Sequence, residues 1–244
     1  MDILYVVGRG SDWQNNELRY SLRSLAKFGK NIGRVFLVGY KPEFVSDKVI
    51  HIPCEDPTDR KHKNILHKVL FAAYHSNIDK HFLVSSDDHY YTRPTDFNKL
   101  PVMYKAIEIP SKLTGHQLWC QYHLSLRDTR NLLLKYGLPI FQTNPHCNTH
   151  FDVGVYETNR KIFNEGYAMP NGGELNCIMG NLLIKNGCKP VPFHDAKLSN
   201  NATLEDIRAA AELSGCISSK EGCAKSVLVE FLESEFNNKC IYEK

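Results

Sequence analysis

The chain has 244 residues, 42% of them hydrophobic and 23% charged, with a formal net charge of +3. That length holds one large domain with a sizeable core, and the composition excludes a disordered or fibrous protein. So small a charge sets no requirement for a polyanionic partner. The opening MDILYVVG, with an acid at position 2 and a short apolar run, reads as neither a signal peptide nor a membrane span. No integral membrane association is expected. The eight cysteines form no CxxC pair, which sets aside zinc-ribbon and thioredoxin-type sites. Reduced, mostly buried thiols in a cytoplasmic protein are expected instead.

In chain order, ILYVVG (3–8) is a continuous apolar run that reads as a buried strand. NNELRYSLRSLAKFG (15–29) places Leu18, Leu22, Leu25 and Phe28 at helical spacing, with Asn15 or Asn16 as N-cap and Gly29 closing the end. RVFLVG (34–39) and VIHIPC (49–54) read as strands, KNILHKVLFAAYHS (63–76) as a helix, and HFLVSS (81–86) as the next strand. This order predicts an α/β fold with an open, mostly parallel sheet flanked by helices. Beyond it, KAIEIP (105–110) reads as a strand, LSLRDTRNLLLKYG (124–137) as a helix, and THFDVGVYE (149–157) alternates like a strand. GGELNCIMGNLLIKNG (172–187) reads as a helix and KPVPFHDAKL (189–198) as extended. TLEDIRAAAELSG (203–215) and CAKSVLVEFLESEF (223–236) give a helical C-terminal part. Without a linker or internal repeat, one domain spanning 1–244 is expected.

Ligands of open α/β sheets bind beyond the carboxyl ends of strands, and two polar stretches fall there. Asp87, Asp88 and His89 follow the 81–86 strand. Carboxylates with an imidazole suit Mn²⁺ or Mg²⁺ beside phosphates; a solvated turn capped by one Asp is the competing reading. VGRGSDWQNNE puts Gly8, Arg9 and Gly10 after the first strand, in neither the dinucleotide nor the P-loop spacing. Gly8 and Arg9 there suit either backbone approach to a nucleotide or a tight turn. DRKHKNILHK (59–68) clusters bases around Lys63 and Asn64, suiting a diphosphate or a solvated face. His194 in FHDAKL is a candidate third metal ligand or a structural histidine. Asp152 and Glu174 are candidate general bases, or ordinary surface carboxylates.

Taken together, the order VV-x-G, NNELRYSLRSL, RVFLVG, VIHIP, KNIL and FLVSSDDHYY resembles the N-terminal half of GT-A fold glycosyltransferases. Within these it is most similar to the Stealth-like capsule-sugar transferases and their small bacterial and phage relatives. The likeness runs on more loosely through NTHFDVGVYETNRKIFNE and GGELNCIMGN to the ending ESEFNNKCIYEK, where Asn237 and Cys240 stand in place of that family's Pro and Ser. The resemblance implies a nucleotide-sugar-binding half (1–100) and an acceptor-binding half (101–244). It implies that Asp87, Asp88 and His89 take the place of the DxD metal motif, in the DxH form seen in polypeptide N-acetylgalactosaminyltransferases.

The implied activity is metal-dependent transfer of a sugar from a nucleotide diphosphate sugar, a UDP-sugar above all, to a hydroxyl acceptor. Mn²⁺ or Mg²⁺ is the cofactor, with Asp87 also among the donor-binding residues. The implied acceptor is a glycan, a lipid-linked capsule precursor or a hydroxymethylated base in phage DNA. Sugar-phosphate transfer of the Stealth type is the nearer alternative. A nucleotidyltransferase fits VGRGSDWQNN less well, and a module without activity fits the intact acidic triplet less well.

Overall fold

The computed structural model describes residues 1–9, 11–220 and 226–244. The first half runs β1 (Asp2–Val7), α1 (Asn16–Phe28), β2 (Gly29–Lys30), β3 (Val35–Gly39), β4 (Val49–Ile52), α2 (Lys61–His75), β5 (His81–Ser85), β6 (His89–Tyr91) and β7 (Thr95–Asp96). The second half runs β8 (Val102–Tyr104), α3 (Gln121–Lys135), β9 (Thr149–Asp152), α4 (Val153–Thr158), α5 (Arg160–Ala168) and α6 (Leu175–Lys185). It ends with β10 (Pro190–Pro192), β11 (Ala196–Leu198), α7 (Leu204–Ser214), β12 (Cys216–Ser219) and α8 (Val227–Glu235). Gly10, and the start of the expected last helix at Cys223, lie outside the described residues.

The main sheet has the order β4-β3-β1-β5-β9, parallel except for β9, which runs antiparallel to β5. β1 lies next to β5, with Tyr5 opposite Ser85, which brings the ends of these two strands together. Both faces of the sheet are covered, which is why its strands read as unbroken apolar runs. Leu4, Phe36, Val38, Phe82 and Val84 pack with Leu66, Val69 and Ala72 of α2 on one side. Ile3, Tyr5, Val7, Val35, Leu37 and Leu83 pack with Leu18, Leu22 and Leu25 of α1 on the other. The two sets alternate along each strand, as the pleat requires.

A smaller sheet, β11-β12-β6, stands beside the main one, with β12 parallel to β11 and antiparallel to β6. Strands β5 and β6 are thus consecutive in the chain but belong to different sheets, and residues 86–88 form the joint. Two segments depart from expectation. In 105–110, Ala106 takes a left-handed φ of 57° and the segment meets 140–142 through backbone hydrogen bonds around an isolated Glu108–Phe141 bridge, so the regular strand lies earlier, at β8. In 149–157 the strand stops at Asp152, whose carboxylate accepts the Val155 N–H and starts α4. That Asx-type cap overrides the alternating pattern. Among the described residues no helix is long and apolar enough to cross a membrane.

The C-terminal segment is fastened to α1. Glu243, with a fully buried side chain, accepts from Arg23 Nε at 2.7 Å, Arg23 Nη2 at 2.9 Å, Arg19 Nη1 at 3.0 Å and the Cys240 N–H at 3.2 Å. Arg23 Nη1 also donates to the Phe236 carbonyl at 2.8 Å. Arg19, Arg23 and the closing Glu of the tail, far apart in sequence, form one ionic clasp.

Candidate active site

The acidic joint lies at the carboxyl end of β5, beside the end of β1. Asp87 and Asp88 are half-buried, and His89 opens β6 with 5% of its surface exposed. Burial, reinforced by the charge of Asp88, pushes the Asp87 carboxyl well above the usual carboxylate range. Burial alone would raise Asp88 too. The attraction of His89 and Lys197 and a hydrogen bond from Ser218 Oγ at 2.9 Å outweigh it and leave Asp88 lowered. Lys197 Nζ stands 3.8 Å from Asp88 Oδ2. Lys61, at the start of α2, draws Asp87 down without offsetting the burial, and Glu17, in the first turn of α1, pushes it further up.

His89 is turned inward. Burial lowers its pKa to about 4 against the pull of Asp88, so it is neutral at pH 7. The Ser86 N–H donates to its Nδ1 at 3.4 Å, closing the joint on itself. Of the triplet, the two carboxyl groups are therefore the partly exposed members, and His89 is held inside the turn.

From the second half, the imidazole whose charge reaches both Asp88 and His89 belongs to His146, just before β9. His194, expected as the third ligand, is exposed, and it is its neighbour Asp195 that is partly buried and contacts His146. Asp195 Oδ2 accepts from His146 Nδ1 at 2.8 Å and from Lys105 Nζ at 2.9 Å. Burial would raise Asp195, but the His146 hydrogen bond and the cations of His146 and Lys105 hold it well below the usual range. This orients the His146 ring in the manner of a carboxylate-supported histidine. His146, Lys105 and Lys197 were not among the expected site residues because each is a single polar residue in a loop or short strand that carries no motif. The polar run TNPHCNTH ahead of β9 was the available signal.

The other expected site residues are spread. Gly8 is exposed with open space where a side chain would stand, and Arg9 is an exposed partner of Glu55 at 3.3 Å. Asn64 is spent on the preceding turn, accepting from Thr58 Oγ1 at 2.9 Å and donating to the Thr58 carbonyl at 2.8 Å. Lys63 places its Nζ 5.5 Å from the Tyr167 ring, so Lys61 is the lysine of this helix that acts on Asp87. Asp152 pairs in register with His81 at the opposite end of β5, four residues and so about 13 Å of strand from Ser85. It caps α4 there and is remote from the joint. Glu174 is 5% exposed, 3.7 Å from His62 Nδ1 at the start of α2, and its Oε2 has no hydrogen-bond partner.

Asp87 and Asp88 fit a divalent cation. They form an adjacent acid pair at a strand end, where burial and the charge of Asp88 keep Asp87 raised. Among the described residues no three His, Cys, Asp or Glu side chains are already gathered around one point. A cation here would rest on one or two carboxylates, the arrangement Mg²⁺ adopts when substrate phosphates complete its sphere.

Sheet order, flanking helices and the site at the strand ends define an α/β fold of the GT-A type. Among solved structures the chain is similar to an active-site mutant of LgtC, a GT-A glycosyltransferase, with a TM-score of 0.52 and 10% identity over 99% of this chain and 98% of that one. No family model and no curated protein matches the sequence. At 10% identity the likeness establishes the fold and leaves the chemistry to the residues.

Proposed function

We propose that the protein is a divalent-cation-dependent glycosyltransferase that moves a sugar from a nucleotide diphosphate sugar to a hydroxyl acceptor. The observation that carries this reading is the adjacent, half-buried Asp87–Asp88 pair at the carboxyl end of β5 in a GT-A type sheet. Mn²⁺ or Mg²⁺ held by this pair supplies positive charge against a diphosphate leaving group. Lys61 and Lys197 flank the pair and add fixed charge of the same sign. His146, oriented by Asp195, is the imidazole that faces the pair from the second half, in the place first given to His194.

In this reading residues 1–100 hold the donor, UDP-linked by the sequence resemblance, and 101–244 hold the acceptor. That acceptor is a glycan, a lipid-linked sugar or a hydroxymethylated DNA base. The relationship to Stealth-like transferases and the cytoplasmic setting belong to the same proposal. Seven free cysteines among the described residues support a reducing compartment. Of the two carboxylates considered as general base, Glu174 is retained, because Asp152 sits at the wrong end of β9. The test is incubation with a panel of nucleotide-sugars and Mn²⁺, following release of nucleoside diphosphate. Release that needs the cation and is lost in Asp88→Asn supports the reading; no release with any donor, or equal release by Asp88→Asn, overturns it.

A further inference from the structure

We infer that Ser21 and Ser24 of α1 are positioning residues that hold the cation-binding joint by gripping the backbone of β6, a role that rests on the function proposed above. Strand β6 is three residues long and lies at the edge of its sheet, with β12 on one side. Its other side meets a helix, which cannot offer a ladder of backbone groups. Two hydroxyls take the place of that ladder. Ser21 Oγ donates to the His89 carbonyl at 2.6 Å, and the Tyr91 N–H donates to Ser24 Oγ at 3.0 Å. A carbonyl at one residue and an N–H two residues on lie on the same side of a strand, so the pair copies the contacts a neighbouring strand would make.

The hydroxyls are fully used. Tyr5 of β1 lies 3.1 Å from Ser21 Oγ, and because Ser21 donates to His89, the Tyr5 O–H is the donor in that contact. Ser24 Oγ donates to the Ser21 carbonyl at 2.8 Å. Both serines are completely buried in mid-helix, where alanine forms helix better and serine gains nothing from packing. The hydroxyls are what the positions require. Ser21 also bridges the two ends of the joint: Tyr5 pairs in register with Ser85, the last residue before the joint, and His89 is the first after it. Between them only Ser86, Asp87 and Asp88 are left to span, so fixing both ends fixes where the carboxylates point.

The experiment is a titration of Mn²⁺ into excess protein, with free Mn²⁺ read by electron paramagnetic resonance and thermal midpoints measured in parallel. Variants are Ser21→Ala, Ser24→Ala, Asp88→Asn as the site knock-out, and Glu243→Gln. The last loosens α1 at the clasp, touches nothing in β6, and controls for loss of stability alone. Either serine variant is expected to weaken Mn²⁺ binding about 10- to 100-fold, the usual effect of losing a group that orients metal ligands, while Glu243→Gln keeps wild-type affinity despite a lower midpoint. Wild-type affinity in both serine variants overturns the inference. So does an affinity that falls with the midpoint in Glu243→Gln as well. A wild-type protein that takes up no more Mn²⁺ than Asp88→Asn removes the proposed function, and the positioning role goes with it.

Discussion

Replacing Glu243 by Gln tests whether the ionic clasp between the C-terminal segment and α1 holds the fold. The Glu243 side chain is wholly buried, Arg23 is 11% exposed and Arg19 27%. Removing one member of a buried, hydrogen-bonded pair costs roughly 3–5 kcal/mol, whereas exposed pairs contribute only about 0–1 kcal/mol. Because both arginines keep some solvent, the lower end applies, about 3 kcal/mol. For a chain of this size each kcal/mol lowers the thermal midpoint by roughly 2–4 °C, so a fall of about 6–12 °C is expected at pH 7. The pH dependence gives a second check. Burial would raise the Glu243 carboxyl, but hydrogen bonds from Arg23 and the Cys240 N–H, with the charges of Arg23 and Arg19, hold it below its usual value of 4.5. A lowered native pKa means the clasp stabilises fully above the unfolded carboxylate's pKa and is lost as pH falls through the native one. The gap between wild type and Glu243→Gln, followed by circular dichroism melts, therefore closes as the pH drops below about 4. A gap under about 2 °C at pH 7, or one unchanged between pH 7 and pH 3, would refute this account.

Asp152→Ala removes the cap of α4 and is expected to cost about 0.5–2 kcal/mol in urea unfolding while leaving transfer unchanged; a rate loss of 10²-fold or more would return Asp152 to the reaction. Glu174→Gln is expected to lower turnover on a true acceptor by about 10²–10⁴-fold with donor affinity kept, and full turnover removes it as a base. Gly180→Ala would set its methyl 2.3 Å from Thr143 Oγ1 in the packing of α6. A loss of about 1–3 kcal/mol is expected from calorimetry, and a neutral result would mean that Thr143 moves aside freely.

The first half of the fold was legible because its strands are buried on both faces and its two helices carry strong apolar stripes. The carboxylates at the end of β5 were legible for the same reason: a polar pair directly after a buried strand stands out. What surrounds them was not. Lys197 and His146, with the Asp195 and Lys105 that support it, lie in short strands and loops whose positions depend on pairings far apart in the chain, such as β6 with β12. Asp152 was read from alternation as a strand residue; in the structure its carboxylate caps a helix and ends the strand there, away from the joint. The NELRYSLRSL helix shows the opposite case. Only its apolar spacing was read from the sequence, yet among its polar residues Arg19 and Arg23 serve the clasp and Ser21 and Ser24 hold β6.

The joint between the two sheets also bears on how the chain folds. The end of β5 is set against β1, which precedes it in the chain, but β6 needs β12, whose residues 216–219 come late in the chain. Contacts spanning so much chain form slowly, since loop closure must precede any gain from pairing. Strands β1 to β5 and their helices are therefore expected to collapse first, leaving Asp87 and Asp88 on a loose end until the C-terminal third arrives. In a refolding experiment, recovery of cation binding would lag behind recovery of secondary structure, and would report completion of the whole chain rather than of the sheet that carries the two carboxylates.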